Sequence, residues 1–427
     1  MKITCAPDGF DFTSISSDLN ILLYGRAKDS IMGSVGAMVK HDIYRKRLIP
    51  VEKAWDFLSI ALSVVATDQA GHRRKSPDGW TREFDLTISV IDDIFWNQQK
   101  SLLEQLLKFL TTDIWSLNFI SGGGIPEPHK KATYPENDCV ALLSGGLDSF
   151  IGVIDLVKQN KMPFVVSQTV RGDGKNQKYF ARALGGLSQF KTNHNAKVPR
   201  AETPASQRSR SIIFLAYGVL VASSLKKHNE GKQVNLYVCE NGYISINPPI
   251  TPARIGSLST RTTHPVVFGL LQHILDNAGL NISIINPYQH KTKGEMLQEC
   301  LDQPLLERLA HKTTSCGRFA VFKNTHCGRC VPCLVRRASF FHWKGKGFDQ
   351  TVYKFDQLDK DDEQHAKFDD VWSMSMAVLS RREIGTDRWI GASLSSQLIK
   401  DKTLYQDTVE RGLIEIEKFL TDDIGLI

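Results

Sequence analysis

Two short stretches carry residue types whose spacing could do chemistry. The first is Leu142-Leu143-Ser144-Gly145-Gly146-Leu147-Asp148-Ser149-Phe150, an apolar run that breaks into a serine- and glycine-rich turn before a helical pattern resumes. Paired glycines let a backbone adopt positive φ and approach a ligand closely, and a following helix offers unpaired N–H groups and the positive end of its dipole. An anion fits such a place. Ser144 and Ser149 add hydroxyl donors, and Asp148 could orient the turn or hold a water on Mg2+. A glycine-rich turn with no ligand is the plainer reading of the glycines alone; Ser121-Gly122-Gly123-Gly124, set among Pro, Lys and Glu, reads as a linker. The second stretch is Cys316 followed by Cys327-Gly328-Arg329-Cys330-Val331-Pro332-Cys333, while Cys5, Cys139, Cys239 and Cys300 are scattered. In a reducing compartment such crowding points to metal before disulfide, and the spacing suits one tetrahedral Zn2+. Four thiolates leave no open position, so that zinc is structural. An iron–sulfur cluster uses the same ligand type and a redox dithiol needs only two of the four, so spacing alone leaves both open.

In context the first stretch is more specific. Ser-Gly-Gly-x-Asp-Ser after an apolar strand resembles the PP-loop of the ATP pyrophosphatases and not the Walker pattern, which has Lys and then Ser or Thr after the second glycine. Joined to Ser315-Cys316 and to CGRCVPCLVR, it resembles the 7-cyano-7-deazaguanine synthase (QueC-like) family over about residues 138–342. The resemblance implies that residues Leu143, Ser144, Gly145, Gly146, Leu147, Asp148 and Ser149 hold the pyrophosphate of ATP, with Mg2+, and that Cys316, Cys327, Cys330 and Cys333 hold Zn2+. It implies that Lys293, in Thr292-Lys293-Gly294-Glu295, reaches phosphate; a surface lysine behind a Thr292/Glu295 capping box is the alternative. Arg210 matches an arginine at a helix start, with Ser211 where the family has Asn, and is expected to help neutralise phosphate charge; Glu240 matches a glutamate after the strand VNLYVC and is expected to contact substrate. Segment 241–265 lacks the family's Tyr-Pro-Asp-Cys-Arg, and Arg254, Arg261, Thr262 and His264 are the candidates there for binding substrate.

The activity implied is that of an ATP-dependent C–N ligase. 7-Carboxy-7-deazaguanine or a related deazapurine acid attacks the α-phosphate, pyrophosphate leaves, and an amine captures the acyl adenylate. The flanks, absent from ordinary biosynthetic members, resemble those of QueC-like proteins of bacterial anti-phage operons. They imply a defence role and a protein partner from the same operon as amine acceptor, with nitrile formation as the other outcome. A non-catalytic ATP-binding scaffold and a tRNA-modifying PP-loop enzyme are the competing readings.

These residues need a frame to hold them. A chain of 427 residues exceeds the size of a single core, so two or three domains are expected. Short apolar runs (CVALLS, PFVVSQTV, VNLYVCE, ISIINPY) alternate with helical patterns from 138 onward, which implies an α/β architecture with a parallel sheet and a ligand at the carboxyl ends of its strands. With the resemblance, this is a Rossmann-like PP-loop domain with a zinc knuckle over 138–344. Before it, 1–120 reads as an α+β domain and 121–137 as a linker; after it, 345–427 reads as a mostly helical extension with helices near 370–383 and 407–421. The longest apolar runs, 57–66 and 212–225, fall short of the ~18 residues of a membrane span and read as core helices. MKITCAPDGF lacks a basic segment followed by an apolar one, so a cytoplasmic location and no membrane partner are expected. Net charge is a modest +7, and its clusters (His72-Arg73-Arg74-Lys75; Arg336, Arg337, Lys344, Lys346) read as solvated faces, so nucleic acid is not an expected partner.

Overall fold

A computed structural model of the chain describes residues 1–169, 174–202, 206, 208–250, 261–359 and 370–427. It contains two five-stranded sheets. The first is built from β1 (Lys2–Pro7), β2 (Leu19–Leu23), β3 (Gly33–Val35), β4 (Glu83–Ser89) and β5 (Ile114–Ile120), in the order β3-β2-β1-β4-β5. Every pairing in it is parallel, which corrects the expected α+β character to α/β. The reason is local. β4 and β5 alternate buried and exposed residues, a pattern shared with antiparallel strands. What sets their direction is the helical crossovers, α1 (Val39–Lys46) with α2 (Glu52–Ala70) before β4, and α3 (Asp93–Gln98) with α4 (Lys100–Thr111) before β5.

The second sheet comprises β6 (Cys139–Leu142), β7 (Pro163–Gln168), β8 (Gln189–Thr192), β9 (Val234–Tyr237) and β10 (Ile282–Ile285), ordered β10-β9-β6-β7-β8 and again all parallel. Counted from its own first strand, each sheet therefore has the same strand order, a duplication that no sequence repeat announces. Around the second sheet lie α5 (Leu147–Lys158), α6 (Gly174–Ala183), α7 (Arg210–Ser223), α8 (Lys226–Asn229), α9 (Gly242–Ser245), α10 (Pro265–Asn277), α11 (Lys293–Glu299), α12 (Gln303–Leu309) and α13 (Val331–Lys344). Residues 345–359 are loop, with Tyr353 bridged to His326, and from 370 onward helices follow, as expected: α14 (Asp370–Ile384), α15 (Thr386–Ile390) and α16 (Lys402–Lys418).

Two helices with almost no polar face join the sheets. In α2, sixteen of nineteen residues are buried, and in α7 twelve of fourteen. A helix apolar all round must be covered on all sides. Here α2 packs on the first sheet with one side and on α7 with the other, and α7 packs in turn on β6, β7 and β9. The result is a sheet, helix, helix, sheet stack with one continuous apolar core. A buried ion-pair group closes its edge: Arg82 Nη2 lies 2.5 Å from Asp68 Oδ1 and 2.6 Å from Asp113 Oδ2, and Arg73 also pairs with Asp113 at 3.0 Å. Ser209 donates through its backbone N and Oγ to Asp68 Oδ2 (3.2 and 2.7 Å), pinning the start of α7 to the first half of the chain. Arg73 is thus an internal partner and not the solvated charge that its sequence cluster suggests. Among the described residues, no helix is long and apolar enough to cross a membrane.

Candidate functional site

The chain leaves β6 toward β7 on one side and later returns to β9 on the other, so the carboxyl ends of β6 and β9 flank a crevice of the kind that binds ligands in open α/β sheets. Ser144 to Ser149 follows β6; Glu240 and Asn241 follow β9. Between them is a half-open cleft of about 230 Å3 whose walls include Ser144, Gly146, Asp148, Glu240, Lys293 and Thr314.

The turn folds as its sequence requires. Gly145 has φ +95°, and its carbonyl accepts from Thr314 N at 2.9 Å, which ties the turn to the cysteine-bearing segment. Gly146 precedes α5 in extended conformation, with no side chain capping the helix. Ser149 Oγ accepts from Ser144 N (3.2 Å) and donates to Gly146 O (3.0 Å), while Ser144 Oγ accepts from Gly146 N (3.1 Å). Gln177 on α6 donates to Ser144 O at 2.9 Å. Both hydroxyls therefore hold the turn's shape as well as lining the cleft. Leu143 is fully buried and extends the strand ladder, its N donating to Val166 O at 2.7 Å; Leu147 is buried at the cleft wall.

Asp148, Glu240 and Lys293 form the charged core of the cleft. Lys293 Nζ pairs with Asp148 Oδ1, both side chains under 10% exposed. Asn241 donates through its backbone N (3.1 Å) and Nδ2 (2.7 Å) to Asp148 Oδ2. Burial opposes ionisation of Asp148, but the Lys293 ammonium and hydrogen bonds from Glu240, Lys293 and Asn241 hold its carboxyl below the usual range. Burial, and then the charge of Asp148, push the Glu240 carboxyl well above it. The two carboxyl groups are thus pushed apart, Asp148 toward the carboxylate and Glu240 toward the neutral acid. Of the alternative reading, the Thr292/Glu295 capping box is fully formed at the start of α11, but Lys293 is buried and not a surface lysine. The box fixes the backbone, and the lysine beside it turns inward.

The four expected metal ligands come together. The sulfurs of Cys316, Cys327, Cys330 and Cys333 all lie within 4.8 Å of one another, and all four residues are buried and free of disulfides. Two of the separations, Cys316 to Cys330 and Cys327 to Cys333, are 3.9 Å. Zinc–sulfur bonds of ~2.3 Å in a tetrahedron place sulfurs about 3.8 Å apart, so the cage fits such an ion. Backbone N–H groups of Arg318 and Cys327 point at Cys316 Sγ and that of Cys330 at Cys327 Sγ, each at 3.3 Å, as suits thiolate charge. Cys330 precedes α13, with Pro332 in its first turn, so the cage is fixed to a helix that itself lines the cleft through Pro332 and Val335. Arg336 is fully buried, which corrects its reading as a solvated charge: it donates to Ala310 O (2.8 Å), Thr313 Oγ1 (2.9 Å) and Ser315 Oγ (3.1 Å), fixing the segment that holds Thr314 against the turn.

The remaining candidates go elsewhere. Arg210 heads α7 beside His194, outside the lining of the cleft. Arg261 stacks on Phe109 of α4 (4.9 Å) and donates to Phe109 O at 3.3 Å. His264 is buried and caps α10, its Nδ1 accepting from Val266 N at 3.3 Å. These two hold the second half of the chain to α4. Thr262 is half-buried in the same turn, and Arg254 lies outside the described residues. The cleft also uses residues not singled out from sequence: Asn241, next to Glu240 at a strand end, and Thr314, whose buried Oγ1 has no hydrogen-bond partner among the described residues. Position beyond a strand's carboxyl end was the available signal for Asn241; Thr314 had only its nearness to Cys316. No described protein family matches the chain, and no curated protein matches it.

Proposed function

We propose that the cleft binds the phosphates of ATP and transfers AMP to a carboxylic acid, releasing pyrophosphate. The observation that carries this reading is the serine–glycine turn at the head of α5, where the helix's own Asp148 forms a buried pair with Lys293 of α11 at the switch point of the sheet. Catalysis of this kind comes from positioning and charge stabilisation. The N–H groups of the turn and the Lys293 ammonium would meet the oxygens of the leaving pyrophosphate, and Thr314 Oγ1 has a bond left to give. Mg2+ would neutralise further charge there, with the Asp148 carboxylate the group to hold it or a water on it. The acid, by resemblance a 7-deazaguanine carboxylic acid, attacks the α-phosphorus through a carboxylate oxygen. An amine nitrogen then attacks the acyl carbon, AMP departs with the bonding electrons, and the nitrogen's proton passes to solvent.

The amine is proposed to belong to a protein encoded beside this one in an anti-phage operon, ammonia and nitrile formation being the other route. The cysteine cage is proposed to hold structural zinc, which fastens the Thr313–Ser315 segment over the turn. Incubation with ATP, Mg2+ and the deazapurine acid is expected to yield AMP and pyrophosphate, and Asp148→Asn is expected to abolish both with zinc content unchanged. Undiminished pyrophosphate release by Asp148→Asn would remove the cleft from the chemistry. With the neighbouring gene products present, intact-mass analysis is expected to show one of them gaining the acyl group; free nitrile with no mass gain would assign the amine to ammonia.

A further inference from the structure

The C-terminal helix α16 reaches the cleft from behind. Glu415, only 5% exposed, accepts from Thr292 Oγ1 with one oxygen and from Gly294 N (3.2 Å) with the other. These two residues flank Lys293. Thr292 Oγ1 also accepts from Glu295 N at 3.1 Å, so one chain of hydrogen bonds runs from α16 through the capping box of α11. Four residues earlier on α16, Arg411 pairs with Glu295 and donates to His290 O at 3.0 Å. Tyr405 reaches Gln289 Oε1 at 3.3 Å, with its ring centroid 4.6 Å from that of His290. The same helix packs on α9, whose N-cap is Asn241, the second partner of Asp148. Gly242 N bonds to Lys291 O at 2.8 Å, so the two arms that grip Asp148 are also tied to each other.

We infer that Glu415 is a positioning residue that sets Lys293 against Asp148, making α16 a working part of the cleft. The inference rests on the phosphate-binding reading for its functional consequence, and on geometry alone for the clamp. A carboxylate bonded on both sides of a lysine fixes the backbone from which that side chain reaches. Displacements on the order of 1 Å at a reacting group cost about a hundredfold in rate. Replacing Glu415 removes the acceptor for both flanking donors and leaves Gly294 N–H buried and unpaired.

The test uses the full chain as wild type, Glu415→Ala, Glu415→Gln and, as a control on an exposed side of the same helix, Ile414→Ala. Hydrogen exchange without ligand reads the clamp: the Gly294 amide and those of Gly242 to Ser245 are expected to exchange at least tenfold faster in Glu415→Ala and unchanged in Ile414→Ala. Affinity for Mg2+-pyrophosphate reads the consequence: at least tenfold weaker in Glu415→Ala, and less affected in Glu415→Gln, which keeps one acceptor oxygen. In a Lys293→Ala background, Glu415→Ala is expected to add no further loss, because it acts through the lysine; a merely structural role gives additive losses. Should Glu415→Ala not fold, Thr292→Val, which cuts one of the two links, decides by the same measurements. Wild-type exchange and wild-type pyrophosphate affinity in a folded Glu415→Ala protein would overturn the inference. Failure of the wild type itself to bind pyrophosphate would instead sink the phosphate reading, with exchange still deciding the clamp.

Discussion

Gly328 shows what a single position contributes to the cage. Its φ is +92°, and a Cβ there would stand 2.3 Å from Phe355 O, against backbone that cannot step aside. Gly328→Ala is therefore expected to strain the turn by at least the ~1–3 kcal/mol of a left-handed non-glycine residue, lowering both the melting temperature and the zinc content measured by metal analysis. A variant with full zinc and an unshifted melt would show that the loop relaxes. At this scale the sequence was most legible where a motif fixes several atoms at once: the turn from Ser144 and the four cysteines lie where their spacing put them. It was least legible where a role depends on a distant partner. Glu415 sits on a helix among Arg411, Glu410 and Glu417, with nothing local to mark it as buried, and only its meeting with Thr292 and Gly294, over 120 residues away, gives it a task. Arg261 and His264 were singled out for their chemistry, but their partners are in α4, a contact that no local pattern encodes.

Among elements, α10 offers a pH-dependent joint. Burial, and next the charge of Arg261, lower the His264 imidazole to about 4 from an ordinary 6.5, so the neutral ring that caps the helix is the folded form. Its unfolded state takes up a proton first as acid is added, so this contribution is fully present above pH 6.5 and is lost as pH falls toward 4. His264→Asn keeps a capping oxygen without the titration. That variant is expected to match the wild type within about 1 kcal/mol at neutral pH and to lose less melting temperature between pH 6.5 and 4; parallel losses in the two proteins would refute the assignment. Element positions were readable from periodicity: the strand at 85–90, the leucine-rich helix after it, and both buried helices stand where their patterns put them. Strand direction in the first sheet was not, because alternation along a strand says which residues face in and nothing about which way its neighbour runs.

For the whole molecule, the segments 1–120, 138–344 and 345–427 pack against one another across the boundaries read from sequence. One apolar core runs from Ile3 to Leu420 through the α2–α7 contact. Residues 138–344 produced alone are therefore expected to expose the α2-facing side of α7, to self-associate on gel filtration and to lack a cooperative melt; a sharp melt of a monomer would show an independent domain. The stack also has a consequence for the order of events at the ribosome. α2 is complete at residue 70 and its cover, α7, starts at residue 210, so with synthesis at ~5–20 residues per second a helix that is buried on nearly every side in the fold waits for on the order of ten seconds or more for its partner. Glu415 is made over 120 residues after Thr292 and Gly294, so while that length is being synthesised the segment that bears Lys293 lacks the carboxyl group that its two flanking donors bond in the folded chain.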